Sequence, residues 1–226
     1  MEELKKEFES WEQFIDHSNL SIEYDLMLSK IDLLYENNEC FPEKSKIFRA
    51  FRETTYDNCS CVLLGMDPYP GVYKGVPSAC GLSFATENGY INPSLRIIFE
   101  NLIEDGLKNP KDNLSGTELI NWAKQGMLLL NTALTIQKGI SGSHLKVWKE
   151  WTEIFITSLS KKRPDIIWVL LGNDAKKFKN CIISENIIEA PHPMTNIYQS
   201  PNKPFSNEHV FLELNKKLKR KIIFNE

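Results

Sequence analysis

Four short apolar runs constrain the fold of this chain more than any other feature of its sequence. They are CVLLG (61–65), MLLLNTAL (127–134), IIWVLLG (166–172) and NIIEA (186–190). Each is too short for a solitary buried helix, and none alternates apolar with polar residues. Such runs are typical of strands that are covered on both faces of a parallel sheet. We therefore predict four buried strands.

Segments with a helical spacing of apolar residues separate these runs. They are SLRIIFENLIEDG (94–106), GTELINWAKQG (116–126), HLKVWKEWTEIFITSLSKK (144–162), NDAKKFKNCI (173–182) and NEHVFLELNKKLKR (207–220). Strands that alternate with helices predict an α/β fold with right-handed crossovers. Two further amphipathic helices are expected within residues 1–40, and no shift in composition divides the chain. We predict one domain over 1–226, in which 1–57 form helices packed on the core.

Composition places limits on the kind of protein. No apolar stretch approaches the roughly 18–20 residues of a membrane helix, and the N-terminus is charged throughout, so we expect no membrane and a cytoplasmic location, or a nuclear or viral-factory one in a eukaryote or virus. The five cysteines include no C-x-x-C pair, which argues against a disulfide framework and against a zinc or iron–sulfur site. A net charge of −3 weighs mildly against nucleic-acid binding, although a local basic surface is enough to bind phosphates.

Polar residues follow each of the four apolar runs. Asp67 and Tyr69 come after the first run, Asn131 lies within the second, and Gly172-Asn173 and His192 follow the third and fourth. Ligands of open parallel sheets bind outside the carboxyl ends of the strands, so we expect these residues to share one site.

Each of these residues also has a purely structural interpretation. Asp67 alone is more often a turn cap than a catalyst, and a lone Asn131 more often fixes a backbone turn. His192 between two prolines fits a rigid loop, and Phe84 in GLSFAT fits the core. No phosphate loop, dinucleotide fingerprint, nucleophile elbow or metal-hydrolase motif occurs. The remaining residues suit a hydrolysis that uses positioned water and electrostatics, without metal or cofactor.

Blocks of sequence in the same order resemble the family 1 uracil-DNA glycosylases. GMDPYP resembles the G-Q-D-P-Y-H water-activating loop, GLSFAT the G-L-x-F-S segment, and NPSLRIIFENL the Pro-Ser loop and its helix. INWAKQGMLLLNTALTI, SHLKVWKEWTEIF, LLGNDAKK and APHP resemble the family's later blocks. The resemblance runs from about residue 58 to the C-terminus. It implies a three-layer α/β/α sandwich around a four-stranded parallel sheet.

The resemblance also implies roles for single residues. Asp67 would orient or deprotonate the attacking water, and His192 would donate to uracil O2. Tyr69 would exclude the 5-methyl group of thymine, Phe84 would stack on the flipped base, and Asn131 would read its edge. Further contacts would come from Met66 to the base and, to DNA, from Pro70, Ser94, Gly172, Asn173, Thr195, Asn196, Ile197 and Tyr198.

Three departures from the family pattern stand out. Met66 replaces glutamine, at a contact that is largely made by the backbone. Pro70 replaces histidine, as in poxviral members, which keep glycosylase activity and also serve a polymerase. Residues 194–198 replace the S-P-L-S segment with its leucine wedge, so that the wedge falls near Asn196 by strict count, or on Ile197 or Tyr198 if the loop shifts.

The leading hypothesis is a monofunctional uracil-DNA glycosylase that releases uracil by base flipping and Asp-assisted water attack. A glycosylase of the same fold for another modified base is one alternative. A catalytically weak binding module for DNA or a replication partner is the other. Expected partners are uracil-containing DNA, single- or double-stranded, and an acidic DNA-mimic inhibitor protein. We expect the chain to be a monomer and to need no cofactor.

Overall fold

The structure is a computed structural model that describes residues 8–16, 20–110, 116–198 and 204–225. Its helices are α1 (Glu12–Asp16), α2 (Leu20–Asn37), α3 (Arg49–Glu53), α4 (Pro93–Glu104), α5 (Ile120–Lys124), α6 (Leu145–Lys162), α7 (Asn173–Lys176), α8 (Thr195–Tyr198) and α9 (Val210–Lys217). Its strands are β1 (Cys40–Phe41), β2 (Cys61–Gly65), β3 (Val72–Tyr73), β4 (Val76–Pro77), β5 (Met127–Asn131), β6 (Ile136–Gln137), β7 (Ile167–Leu171) and β8 (Ile187–Ala190).

The four apolar runs form one parallel sheet with the strand order β5-β2-β7-β8. Every residue of β2, β5 and β7 is buried, because helices cover both faces of the sheet. The predicted α/β fold with a central four-stranded parallel sheet is therefore confirmed.

The second strand is shorter than its apolar run predicts. β5 ends at Asn131, whereas the run continues to residue 134. Beyond that point the Ala133 N–H bonds to the carbonyl of Met66, in the loop that follows β2, at 3.0 Å. The residues after Asn131 are buried because they pack against this loop, and apolar character alone does not distinguish that from a strand.

Aromatic side chains hold the N-terminal helices on the core. Trp11 packs edge-on against Phe51 with ring centroids 5.4 Å apart, and its indole N–H donates to the Thr54 carbonyl at 2.8 Å. Phe51 and Phe155 in turn pack against each other at 5.3 Å. The described part of 1–57 thus lies against α6.

A buried arginine fixes the segment that runs past the sheet toward Phe84. Arg49, in α3, donates to the Cys80 carbonyl at 3.1 Å and to the Glu87 carboxylate at 2.7 Å. Gly81 has a φ of +87°, and a Cβ there would lie 2.0 Å from the Lys46 carbonyl oxygen. The segment therefore sits directly on the backbone before α3.

No helix among the described residues is long and apolar enough to cross a membrane.

Candidate active site

A cavity of about 440 Å³ opens at the carboxyl edge of the sheet. It is lined by residues from the ends of β2, β5, β7 and β8 and from the two segments that carry Phe84 and Ser94. The predicted site residues that line it are Met66, Asp67, Tyr69, Pro70, Phe84, Ser94, Asn131, Gly172, Asn173 and His192. The structure thus brings together ten of the residues singled out in the sequence.

The loop after β2 is fastened to its neighbours by its backbone. The Met66 carbonyl accepts hydrogen bonds from the Ala133 N–H at 3.0 Å and the Thr132 hydroxyl at 2.6 Å. The Pro70 carbonyl accepts the Gly139 N–H at 3.0 Å. Both ends of this short loop are therefore anchored, so the backbone that carries the side chains from Asp67 to Tyr69 is held in place.

The Asp67 carboxylate is half-buried and hydrogen-bonded on one side. Its Oδ2 accepts the Gly142 backbone N–H at 2.6 Å and the Ser141 hydroxyl at 3.1 Å. Burial raises the pKa of Asp67 above its usual value, and these two hydrogen bonds oppose that rise because they favour the ionised form. The nearby Asp174 carboxylate adds to the rise in pKa. Oδ1 has only the longer 3.5 Å contact with Ser141, so it keeps acceptor capacity toward the cavity.

The amide of Asn131 projects from the last residue of β5, directly beside the last residue of β2. A Cβ on Gly65 would lie 2.5 Å from Asn131 Oδ1, 3.1 Å from Ser83 Cβ and 3.4 Å from the Phe84 ring. Only glycine leaves room for the amide and the ring to meet here. Among the described residues, no group hydrogen-bonds the Asn131 side chain, which leaves its carbonyl and NH₂ for a ligand.

Tyr69 and Phe84 form an aromatic corner of the cavity. The Tyr69 hydroxyl donates to the Phe84 carbonyl at 3.2 Å. Burial raises the pKa of the Tyr69 phenol, and a hydrogen bond with the Ser94 hydroxyl only partly offsets this, so the ring stays neutral. Phe84 itself has a φ of +63°, which is rare for an aromatic residue and is held here by the surrounding contacts.

The imidazole of His192 lies across the cavity, with its ring centroid 6.1 Å from that of Phe84. Its Nδ1 accepts the Met194 backbone N–H at 3.2 Å, which requires the ring proton to sit on Nε2. Burial lowers the pKa of His192, although Asp174 acts in the opposite direction, so the ring is neutral near pH 7. Gly172, with a φ of +87°, permits this placement, since a Cβ there would lie 2.9 Å from His192 Cβ.

The four remaining residues predicted to contact DNA lie in the short helix α8, and of these the described side chains of Thr195 and Asn196 do not line the cavity. The Thr195 hydroxyl donates to the His192 carbonyl at 2.8 Å, and Asn196 Oδ1 accepts the Ser206 N–H at 3.3 Å. The side chains of Ile197 and Tyr198 lie outside the described part of the structure, so the position of a wedge stays a prediction.

Three groups at or beside the cavity were not among the predicted site residues. Ser141 and Gly142 hold Asp67 from 74 and 75 residues away. Asp174 also lines the cavity and is paired with Lys177 Nζ at 2.5 Å. The glycine- and serine-rich stretch GISGS before α6 was the only signal in the sequence for the first two. No group of three metal-ligating side chains occurs in the described ranges.

Comparisons with known proteins agree on one family. A model described as the uracil DNA glycosylase superfamily matches residues 53–219. A uracil-DNA glycosylase of Aliarcobacter butzleri is 36% identical over 188 residues, which are 81% of this chain and 85% of that protein. One from Mesomycoplasma hyopneumoniae is 34% identical over 217 residues, covering 94% of each chain.

Solved structures give the same result. The crystal structure of mimivirus uracil-DNA glycosylase superposes with a TM-score of 0.84 at 25% identity, covering 96% of this chain and 86% of that one. A variant of mimivirus UNG in complex with UGI superposes with a TM-score of 0.85 at 26% identity, covering 96% of this chain and 88% of the other.

Proposed function

The chain belongs to the uracil-DNA glycosylase superfamily, and from this premise we infer that it excises uracil from DNA at the cavity between Asp67 and His192. The reaction hydrolyses the N-glycosidic bond of deoxyuridine, releases uracil and leaves an abasic site, as in base excision repair. The glycosidic bond is shielded inside the base stack, so the nucleotide is flipped out into the cavity. The observation that carries this proposal is the meeting of an acid, a base-reading amide and an imidazole in one cavity.

Asp67 is the group that we propose to activate water. Because Ser141 and Gly142 occupy mainly Oδ2, Oδ1 is the oxygen left to accept a proton from a water aimed at C1′. A carboxyl pKa raised by burial makes a stronger base than an ordinary aspartate. The ionised carboxylate also stabilises the positive charge that develops on the sugar as the bond breaks.

His192 stabilises the leaving base. The proton on Nε2 is available for donation to uracil O2, where negative charge gathers as the glycosidic bond lengthens. A neutral donor is sufficient for this, because the folded protein already holds it in the orientation that the reaction needs. The lowered pKa of His192 supports a neutral imidazole in this role.

Asn131 and Tyr69 select uracil. The free carbonyl and NH₂ of the Asn131 amide match the N3–H and O4 of uracil, while cytosine reverses this pattern at its 4-position. The Tyr69 ring, flanked by Pro68 and Pro70 and bonded through its hydroxyl to Phe84, stands where a 5-methyl group would go. Phe84 stacks on the extruded base. These features favour uracil over another modified base.

The remaining predicted contacts concern the DNA strand. We propose that Ser94, Gly172, Asn173 and Thr195 bind phosphates through hydroxyl and backbone N–H groups, and that residues 196–198 fill the gap left by the flipped base. Met66 contacts uracil through its backbone N–H, since its carbonyl already accepts hydrogen bonds from Ala133 and Thr132. Pro70 in place of histidine, the feature shared with poxviral members, removes a side chain near the sugar without removing any group assigned to the chemistry.

Two proposals concern protein partners. The mimivirus UNG variant described above is in complex with UGI. We propose that an acidic DNA-mimic inhibitor protein binds this chain over its cavity. We further propose that the chain acts as a monomer.

The test is uracil release from a single-stranded and a double-stranded oligonucleotide in the presence of a chelator. We expect release from both, and a fall of about 10²–10⁴ in the rate for Asp67→Asn, the range for a positioned acid–base group. Release of another base from a substrate panel, with none from uracil-containing DNA, would favour the alternative glycosylase. No turnover of any base would favour the binding module.

A further inference from the structure

A small hairpin projects from the rim of the cavity. Strands β3 and β4 are joined by Lys74 and Gly75, whose φ values of +50° and +81° are those of a tight two-residue turn. The hairpin leaves the catalytic loop only two residues after Pro70, and the Ser78 N–H closes it on the Gly71 carbonyl at 3.0 Å. It is therefore an ordered extension of the site.

A second rim segment is fastened to this hairpin. It runs from Phe84 to Ser94, both of which line the cavity, and Tyr90 lies between them. The Asn88 amide donates to the Val76 carbonyl at 3.1 Å and accepts the Tyr90 N–H at 3.1 Å. These bonds fix the position of Tyr90 relative to the hairpin.

The two segments meet through their tyrosines. The rings of Tyr73 and Tyr90 have centroids 5.1 Å apart and an interplanar angle of 32°. Tyr90 remains 39% exposed, and Val72 and Val76 beside it are 41% and 47% exposed. Rigid aromatic surface left open next to a binding cavity is a feature of interaction sites.

A cation completes this surface. Lys74 Nζ lies 5.2 Å from the centroid of the Tyr73 ring. Among the described residues, no carboxylate lies within ion-pair distance of Lys74. An open ring with an adjacent positive charge is the combination by which proteins bind single-stranded nucleic acid, since the ring stacks on a base and the charge meets the backbone.

We propose that Tyr73, Tyr90 and Lys74 form a stacking platform for an unpaired nucleobase that flanks the target nucleotide. Tyr90 supplies the open ring, Tyr73 supports it from the hairpin, and Lys74 binds a phosphate of the same strand. This rests on the function proposed above and adds a subsite for a base that flanks the uracil. In a duplex the flanking base is paired, so the platform gains nothing from it.

The experiment measures kcat and KM on single-stranded uracil oligonucleotides for the wild type, Tyr90→Ala and Tyr90→Phe. In one substrate the nucleotides that flank uracil carry bases, and in a second they are abasic with the same phosphates. We expect Tyr90→Ala to raise KM about 5-fold or more on the first substrate, the equivalent of at least ~1 kcal/mol of base–aromatic stacking, with little change in kcat. Tyr90→Phe keeps the ring and should restore the KM.

On the abasic-flank substrate, wild type and Tyr90→Ala should have equal KM. An equal loss on both substrates, or a fall in kcat alone, would mean that Tyr90 only supports the fold and would overturn the platform. Ile183→Ala, which removes a side chain 61% exposed before β8, at the opposite edge of the sheet, is the matched control. The affinities of the same variants for a uracil-free single strand, measured by fluorescence anisotropy, test the platform even if uracil release fails.

Discussion

The substitution Gly65→Ala tests whether the Asn131 amide reads the base. A Cβ at position 65 would lie 2.5 Å from Asn131 Oδ1, while ordinary contact begins at 3.4 Å, so the amide oxygen must retreat by about 0.9 Å. A hydrogen bond of ordinary length that is stretched by this much no longer counts as one. The new methyl group cannot instead move away from the amide, because it would also lie only 3.1 Å from Ser83 Cβ.

The magnitude follows from the bonds that are lost. The amide is proposed to make two hydrogen bonds to uracil, each worth about 0.5–1.5 kcal/mol net. Their joint loss of about 1–3 kcal/mol corresponds to a fall in kcat/KM of roughly 5- to 150-fold. Overpacking of a buried strand end costs a further 1–3 kcal/mol or so of folding stability, which denaturant unfolding measures separately.

The assay is single-turnover release of uracil at saturating and subsaturating enzyme. Gly71→Ala is the matched control, because the same methyl group there meets nothing within 4 Å. We expect the control to behave as wild type. The assignment of base reading to Asn131 would be refuted if the folded Gly65→Ala variant had a kcat/KM within about 2-fold of the value for Gly71→Ala.

Further predictions concern the carboxyl of Asp67, proposed to be catalytic, and the support of the segment that carries Phe84. Burial raises the pKa of Asp67, and its ionised form is the proposed base, so the acid limb of the kcat/KM profile should lie above the ordinary aspartate range and activity should rise with pH through it. Ser141→Ala removes a bond that favours ionisation, so that limb should move to still higher pH; an unmoved limb would count against Asp67 as the titrating group. Arg49→Met leaves Glu87 and the Cys80 carbonyl without their arginine partner, and should cost roughly 3 kcal/mol of stability, or about 6–12 °C in Tm by calorimetry. Arg96→Met, at an exposed position of α4, is its control, and equal melting of the two variants would contradict the prediction.

The sheet was predictable from the sequence because a strand that is buried on both faces has a short, uninterrupted run of apolar residues. The first run, CVLLG, coincides with β2 at both ends. The second overshoots β5, because the residues after Asn131 are buried by a loop rather than by a sheet. Parallel strands end at one edge, which is why the sequence alone predicts that Asp67, Asn131 and His192 meet.

The contacts that tune these residues were not predictable in the same way. Ser141 and Gly142 reach Asp67 across 74 and 75 residues, and Arg49 reaches Glu87 across 38. No local periodicity encodes such pairings, since they depend on how loops lie on the finished sheet. The hydrogen bond from the Met194 N–H to His192 Nδ1 joins residues only two positions apart. It nevertheless depends on a backbone conformation that the sequence PHPM (191–194) does not specify.

The close approach of Gly172 to His192 has a mechanical consequence. A Cβ on Gly172 would lie 2.9 Å from His192 Cβ and 3.3 Å from its ring, so the turn that carries Gly172 and Asn173 has little space in which to move toward the ring without displacing it. The same turn begins α7 and is proposed to hold a phosphate of the bound strand. A movement of this turn on binding the DNA backbone would therefore also move His192, the proposed proton donor. A strand that seats poorly would leave the donor misaligned, and the enzyme would discriminate against it through turnover as well as through affinity.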